Sequence, residues 1–264
     1  MRAGKVVMFS LLACIFLLFV LNEWFLGKWI FMASSNVLLL ALSGFAVYGA
    51  FRALNAAYYN DIATKFCLVF LAGAFLWFFG EVSWVAQTVF FGIELPYPSI
   101  SDAFWVLGSL VFCIALLFRL NNLVSVDTRL SQVEVGIILG AALFISILVF
   151  FGGGAFSFDA SSLEKTLNLI YATLDFVLFL GAISIAFVLA GEAVQYGLAG
   201  FSKTWVILAA SFGLFAIYDI LFGQLVVNDV YTQYGLVDGL YYVAYWLLAL
   251  GGFMYEEDLR PSGL

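Results

Sequence analysis

Histidine is absent from this chain. A His-ligated haem, a His-based zinc hydrolase site and a Ser-His-Asp triad are therefore excluded. Charge is scarce: Asp, Glu, Lys and Arg make up 10% of the 264 residues, against about 25% in a soluble globular chain. The ten basic residues are scattered under a net charge of −7, which is no nucleic-acid footprint. No lysine lies deep in an apolar stretch, so a retinal Schiff base is excluded as well. The three cysteines, Cys14, Cys67 and Cys113, sit in apolar runs without CxxC spacing and read as small buried hydrophobes. No cofactor and no bound metal is expected. Long polar stretches are missing too. The longest tail expected outside the apolar runs is Tyr255 to Leu264, so no appended soluble domain is expected.

What is present is apolar: 65% of the residues are hydrophobic. A soluble fold of this length has too little interior to hide that surface, whereas bilayer hydrocarbon accepts it. A spanning helix needs about 20 mostly apolar residues. The runs 6–22, 36–53, 66–91, 103–119, 132–152, 166–190, 204–226 and 237–255 predict an all-α, polytopic membrane bundle of eight transmembrane helices, with 1–264 as one integral membrane domain. Arg2 and Lys5 before the first run imitate a secretory signal. The following Asn22-Glu23-Trp24-Phe25 offers no small-residue cleavage site, so the run reads as an uncleaved helix. The link to the second run carries Trp24, Trp29 and Phe31, which suits an interfacial position.

The basic residues give an independent check. With a cytoplasmic N-terminus, the inner loops hold Arg2, Lys5, Arg52, Lys65, Arg119, Arg129, Lys203 and Arg260, and the outer loops hold only Lys28 and Lys165. This positive-inside asymmetry blurs if a span is added or removed. It predicts a multi-pass protein of the cell membrane with both termini in the cytoplasm.

A weak internal repeat is visible. Leu71, Phe75 and Phe78 match Leu208, Phe212 and Phe215, each at an offset of 137. A one-residue shift places Glu81 on Asp219; the opposite shift places Asp102 on Asp238 and Trp105 on Tyr241. The halves 1–125 and 126–264 then hold four spans each and share one orientation. Their symmetry axis is expected along the membrane normal, as in parallel-repeat transporters. The competing reading is chance similarity between Phe- and Leu-rich helices.

An ionisable group within lipid costs about 2.5–3.5 kcal/mol at mid-helix, so each one needs a reason. Glu81 lies sixteen residues beyond Lys65, and Asp219 sixteen beyond Lys203. At 1.5 Å per residue both reach about 24 Å from the inner surface. Asp175 is ten residues below Lys165, about 15 Å deep by the same rise. Asp102 and Asp238 open helices descending from the outer face. The functional reading is an outward-facing acidic cavity between two halves, suited to binding a cation, relaying protons or acid–base chemistry. The structural reading differs by residue. Ser99-Ile100-Ser101-Asp102 fits a capping box, and Asp238 fits a helix N-terminal dipole. Glu81, Asp175 and Asp219 are too deep for capping, and their structural reading is a hydrogen bond to a neighbouring Tyr, Trp or Ser.

Aromatics crowd these acids. Trp77 and Trp84 share a helix face with Glu81, Tyr171 precedes Asp175 by four, Tyr218 adjoins Asp219, and Tyr241, Tyr242 and Tyr245 follow Asp238. Aromatic walls with acids hold organic cations by cation–π attraction. With 19% aromatics overall, packing and interfacial belts are the competing explanation. Glu134 and Glu192 read as solvated helix ends. Gly152 to Gly154 lack the Lys-Ser/Thr of a phosphate loop.

The stretch Gly80 to Gly108, GEVSWVAQTVFFGIELPYPSISDAFWVLG, resembles the membrane modules N-terminal to some actinobacterial diguanylate cyclase (GGDEF) proteins, and free-standing archaeal membrane proteins. The matching positions are Glu81, Trp84, Pro98, Ser99 and Asp102. The resemblance implies a sensory or ligand-binding module, and no cytoplasmic output domain is expected here. In outline only, the eight-span plan with intramembrane carboxylates also resembles the lysoplasmalogenase family. Three functions follow as expectations: a sensor or binding module with a separate output protein, a small cation- or proton-coupled transporter or channel, and an intramembrane carboxylate hydrolase. The expected partners are the lipid bilayer and a small cation or amphipathic ligand, with no nucleic acid.

Overall fold

The computed structural model describes residues 27–58, 60–93, 95–123, 161–196, 199–231 and 235–260, with a few isolated positions elsewhere. Those segments form six long helices: α1 (Lys28–Ala56), α2 (Asp61–Val89), α3 (Ile100–Leu123), α4 (Ser162–Tyr196), α5 (Ala199–Val227) and α6 (Leu236–Leu259). All six are long and apolar enough to cross a bilayer, which makes this a multi-pass membrane bundle. The expected runs 6–22 and 132–152, with Arg129, Glu134 and Gly152 to Gly154, lie outside the described residues apart from isolated positions. So does the side chain of Glu192.

Local chemistry explains where these helices start and stop. Pro96 and Pro98 both fall outside helices. Asn60 caps α2, its side chain accepting from Ala63 N–H at 3.0 Å. Ser161 and Glu164 form a reciprocal capping box on α4: Ser161 N–H donates to Glu164 Oε2 at 2.7 Å, and Glu164 N–H to Ser161 Oγ at 3.2 Å. One boundary corrects the sequence reading. α1 begins at Lys28, well before the apolar run at 36, so Trp29 and Phe31 lie inside the helix rather than in a link. Ser34-Ser35-Asn36 interrupts the apolar run, but Ser35 and Asn36 turn inward and are buried, so the helix runs through them.

Each helix packs on its chain neighbours, and α6 closes back on α1, giving a ring of six in chain order. α1 and α6 approach closely because glycines face each other. A Cβ on Gly49 would lie 2.9 Å from Ala249 O, and one on Gly252 2.8 Å from the Gly49 carbonyl carbon. Small residues at such a seam let membrane helices gain dispersion contacts that lipid does not supply. Arg52 near the end of α1 reaches Glu256 near the end of α6 at 2.6 Å, so these two helices run parallel. Tyr171 Oη donates to Asp102 Oδ1 at 2.8 Å, which likewise sets the starts of α3 and α4 side by side. α2 and α5 run the other way.

The ring therefore has two chemically distinct ends. Arg52, Lys65, Arg119, Lys203 and Arg260 gather at one, while Lys28 and Lys165 stand at the start of α1 and α4 at the other. Two of the three helix pairs also match in length, while α1 has 29 residues and α4 has 35. α2 and α5 each have 29 residues, with Glu81 and Asp219 at the same position counted from the helix start. α3 and α6 each have 24 residues, with Asp102 and Asp238 third in each.

Apolar side chains cover the outside, among them Phe79, Leu107, Ile114, Phe187 and Ile217, all exposed. Cys67 and Cys113 are buried as the sequence suggests, but Cys14 is exposed. The correction has a simple cause: in a bilayer an apolar side chain escapes water without touching protein. Inside, the end bearing the arginines is filled by stacked rings. Phe66 packs on Trp205 and on Tyr255, each at 5.4 Å between centroids, and Phe70 on Phe112 at 4.7 Å. The opposite end is hollow.

Candidate functional site

The hollow is a cavity of about 80 Å³. All nine residues singled out from the sequence border it: Glu81, Asp102, Asp175, Asp219 and Asp238, with Trp77, Trp84, Tyr171 and Tyr218. Among the described residues, no lysine or arginine lines it. Trp77 forms the floor. Its ring meets Phe215 edge-on at 4.7 Å and Phe112 at 5.0 Å, and its N–H donates to the Trp105 carbonyl at 3.0 Å. Above the floor, α2, α3, α4, α5 and α6 each contribute one carboxylate, and α1 contributes Leu39.

The five carboxylates are held in three different ways. Asp102 is structural in part, as its capping-box spacing suggests. Its Oδ2 accepts from Ser99 N–H at 2.6 Å, and Ser99 Oγ accepts from Ser101 N–H at 3.1 Å. The other oxygen takes the Tyr171 hydroxyl, so Asp102 ties α3 to α4. Asp238 sits in the first turn of α6, and its Oδ1 accepts from Tyr231 at 3.0 Å and Tyr218 at 3.1 Å.

Glu81 is completely buried. Its Oε1 accepts from Trp105 Nε1 at 2.9 Å, from Tyr245 Oη at 2.6 Å and from Tyr241 Oη. Those donors come from α3 and α6, on either side of the ring. Its Oε2 has no partner. A buried carboxylate with one saturated oxygen and one empty oxygen is incomplete, because an unpaired buried acceptor costs roughly 1–3 kcal/mol.

Asp175 and Asp219 form the third arrangement. Their carboxyls lie within hydrogen-bonding reach of each other, one on α4 and one on α5. Asp175 is 2% exposed, and its Oδ2 has no N–H or O–H partner. Asp219 is half-buried and faces the cavity.

An aromatic cover lies over the far side. Tyr97, from the α2–α3 link, donates to Asn168 Oδ1 at 2.6 Å and meets Phe222 edge-on at 5.4 Å. Phe222 in turn meets Tyr231, from the α5–α6 link, at 4.9 Å. Burial, and then the Asp102 charge, push the Tyr97 hydroxyl above its ordinary range, so it stays a donor. Burial does the same for Tyr231. The tilted rings of Tyr218 and Tyr241 lie 4.5 Å apart, and Trp84 lies 5.7 Å from Trp105.

Sequence reasoning placed the acids and noted Tyr241 and Tyr245 after Asp238, but did not assign them or Trp105 to Glu81. These three side chains satisfy Glu81 from helices distant in sequence. The i, i+4 spacing of Tyr241 and Tyr245 sets both on one face of α6. Tyr97, Asn168, Phe222 and Tyr231 form the cover from chain links and helix ends, with no pattern to mark them. Among the described residues, no cluster of three or more potential ligands suits a metal ion. Comparison with known proteins finds no matching family model, no matching curated protein and no matching solved structure.

Proposed function

We propose that this protein is a membrane-embedded binding module for a small organic ammonium ion. The carrying observation is the lining of the cavity: five carboxylates and a set of aromatic faces, with no basic side chain among the described residues. A buried water needs about 10–15 Å³ of comparable space. The cavity's ~80 Å³ thus suits a handful of waters or one small organic cation. The empty Oε2 of Glu81 accepts an N–H, and Trp84, Trp105, Tyr218 and Tyr241 offer π faces.

The module is proposed to span the cell membrane eight times, with both termini in the cytoplasm and the cavity open to the outside. In support, Leu123 and Ser162 end and begin helices at opposite ends of the ring. The basic residues concentrate at the end away from the cavity, as the positive-inside rule asks. A two-fold repeat relating α1–α3 to α4–α6 is supported by the equal lengths and matched acid positions of α2 with α5 and of α3 with α6. In the sensory reading, occupancy is passed to a separate output protein. The two-fold ring with its cavity between matched triplets favours a second reading, a transporter that rocks one triplet against the other.

The test is binding to the purified protein in lipid nanodiscs. Isobutylammonium and tetramethylammonium are expected to raise the melting temperature, and neutral isobutanol to leave it unchanged. Glu81→Gln keeps the fold, because it removes a charge without changing shape, and weakens ammonium binding at least ~10-fold, about 1.4 kcal/mol. Equal responses to isobutanol and the ammonium ions sink the proposal. Uptake of labelled ammonium into liposomes separates the transporter from the sensor.

A further inference from the structure

The two-fold arrangement of the ring makes its asymmetry informative. Glu81 on α2 and Asp219 on α5 occupy matched positions, yet their surroundings differ. Glu81 receives three donors from Trp105, Tyr241 and Tyr245. The positions matching Tyr241 and Tyr245 in the other triplet are Trp105 and Ser109. Both are committed elsewhere, Trp105 to Glu81 and Ser109 Oγ to the Trp105 carbonyl at 3.0 Å. Asp219 is left with Asp175 as its hydrogen-bonding partner. Opposite Asp175, across the ring, α1 presents Leu39 to the cavity. One side of the cavity thus holds a carboxylate braced by donors, and the other holds two carboxyls braced only by each other.

Two carboxylates both lacking a proton have no donor to place between them. A hydrogen bond joining Asp175 to Asp219 therefore needs one proton, shared or carried by either. The groups facing the pair supply no cation to replace it. They are Glu81 from α2, Asp102 and Cys113 from α3, and Tyr97 from the α2–α3 link. Tyr171 of α4, Tyr218 of α5 and Tyr245 of α6 complete the surroundings, all hydroxyl donors or anions. α1 contributes only the apolar Leu39 to the lining. Asp175 Oδ2, buried and without an N–H or O–H partner, is the second indication that the pair awaits a donor.

Resting on the binding reading above, we propose that the Asp175–Asp219 pair is the ammonium seat, and that each ligand bound displaces the pair's proton. A primary ammonium carries N–H groups enough to donate to both aspartates at once. The exchange balances. The carboxyl–carboxylate pair and the incoming alkylammonium become two carboxylates bridged by that ammonium, and one proton leaves to solvent. No bond to carbon changes. Glu81, its Oε1 already taken by three donors, adds one further acceptor, Oε2. Ligand binding and proton release are thereby one event, which lets the site read ligand and proton together.

The experiment is calorimetric titration of the full chain in nanodiscs with isobutylammonium, in phosphate and in MOPS, which carries no primary ammonium, at the same pH. Because the two buffers differ in ionisation enthalpy, the difference in heat reports protons released. About one proton per ligand is expected, and affinity rises about tenfold per pH unit over the range where the pair holds its proton. Glu81→Gln weakens binding but still releases about one proton. Asp219→Asn offers an amide N–H to Asp175, and both the proton release and the infrared band of a protonated carboxyl disappear. Binding by the wild type with no buffer-dependent heat overturns the exchange while leaving the binding reading intact. A carboxyl band that persists in Asp219→Asn and is lost in Glu81→Gln places the proton on Glu81 and overturns it too. Absence of any ammonium binding removes both.

Discussion

Trp105 donates its indole N–H to Glu81 at 2.9 Å while its ring lies against Gly80, the residue just before Glu81 on the facing helix. The relationship is reciprocated across the same pair of helices: the ring of Trp77 on α2 covers Gly108 on α3. Two tryptophans and two glycines thus set the spacing of α2 and α3 and aim one donor at the buried carboxylate. A Cβ at position 80 would meet Trp105 Nε1 at 2.5 Å. Gly80→Ala is expected to push the indole aside and take its hydrogen bond from Glu81. Overpacking of this kind costs roughly 1–3 kcal/mol. Thermal unfolding in nanodiscs checks the loss, and tryptophan fluorescence checks the displaced ring. An unchanged spectrum and melting temperature would mean that the indole has room to spare.

The two tyrosines of α6 give a second prediction. Tyr241 and Tyr245 both donate to Glu81 Oε1, so removing one hydroxyl leaves a carboxylate that keeps two donors. Tyr245→Phe alone is expected to destabilise by about 1.5–3 kcal/mol, the worth of a hydrogen bond to a charged group. Tyr241→Phe together with Tyr245→Phe should cost more than the sum, because Glu81 is then held by Trp105 alone. A double-mutant cycle on chemical or thermal unfolding measures the coupling. Strict additivity would show that the two hydroxyls do not serve one acceptor.

Topology can be tested by labelling. On a background with Cys14, Cys67 and Cys113 replaced, single cysteines go in at the exposed positions Phe91 and Tyr58, at opposite ends of the ring. Position 91 lies at the cavity end and is expected to react with a membrane-impermeant thiol reagent from outside intact cells. Position 58 should react only after the membrane is opened. Reaction of both from one side contradicts eight spans with cytoplasmic termini.

Much of this protein was legible in the sequence because the bilayer simplifies the reading. Backbone polar groups in lipid must be satisfied within the segment, so an apolar run of spanning length has little choice but a helix. The expense of ionisable groups in lipid marked Glu81, Asp175 and Asp219, since a carboxylate at that depth needs company. Pro96, Pro98 and the Ser99–Asp102 spacing mark the start of α3 by local chemistry alone. Even there, Ser34-Ser35-Asn36 misled, because hydropathy sums cannot tell a polar side chain turned inward from a chain break.

Tertiary structure decided the partners. Glu81 and Tyr245 are separated by 164 residues, and nothing local to either predicts a hydroxyl 2.6 Å from that carboxylate. Asp175 and Asp219 were equals of Glu81 in the sequence, all three being buried acids beside aromatics. Their difference arises only when six helices close into a ring. Trp105, Tyr241 and Tyr245 are then spent on Glu81, and the other two acids are left facing each other. Hydropathy and depth depend on position along one helix, and the sequence determines them. Which donor reaches which acceptor depends on the rotation and spacing of several helices at once, and here that was set by contacts such as Gly80 under Trp105 and Gly49 against Gly252.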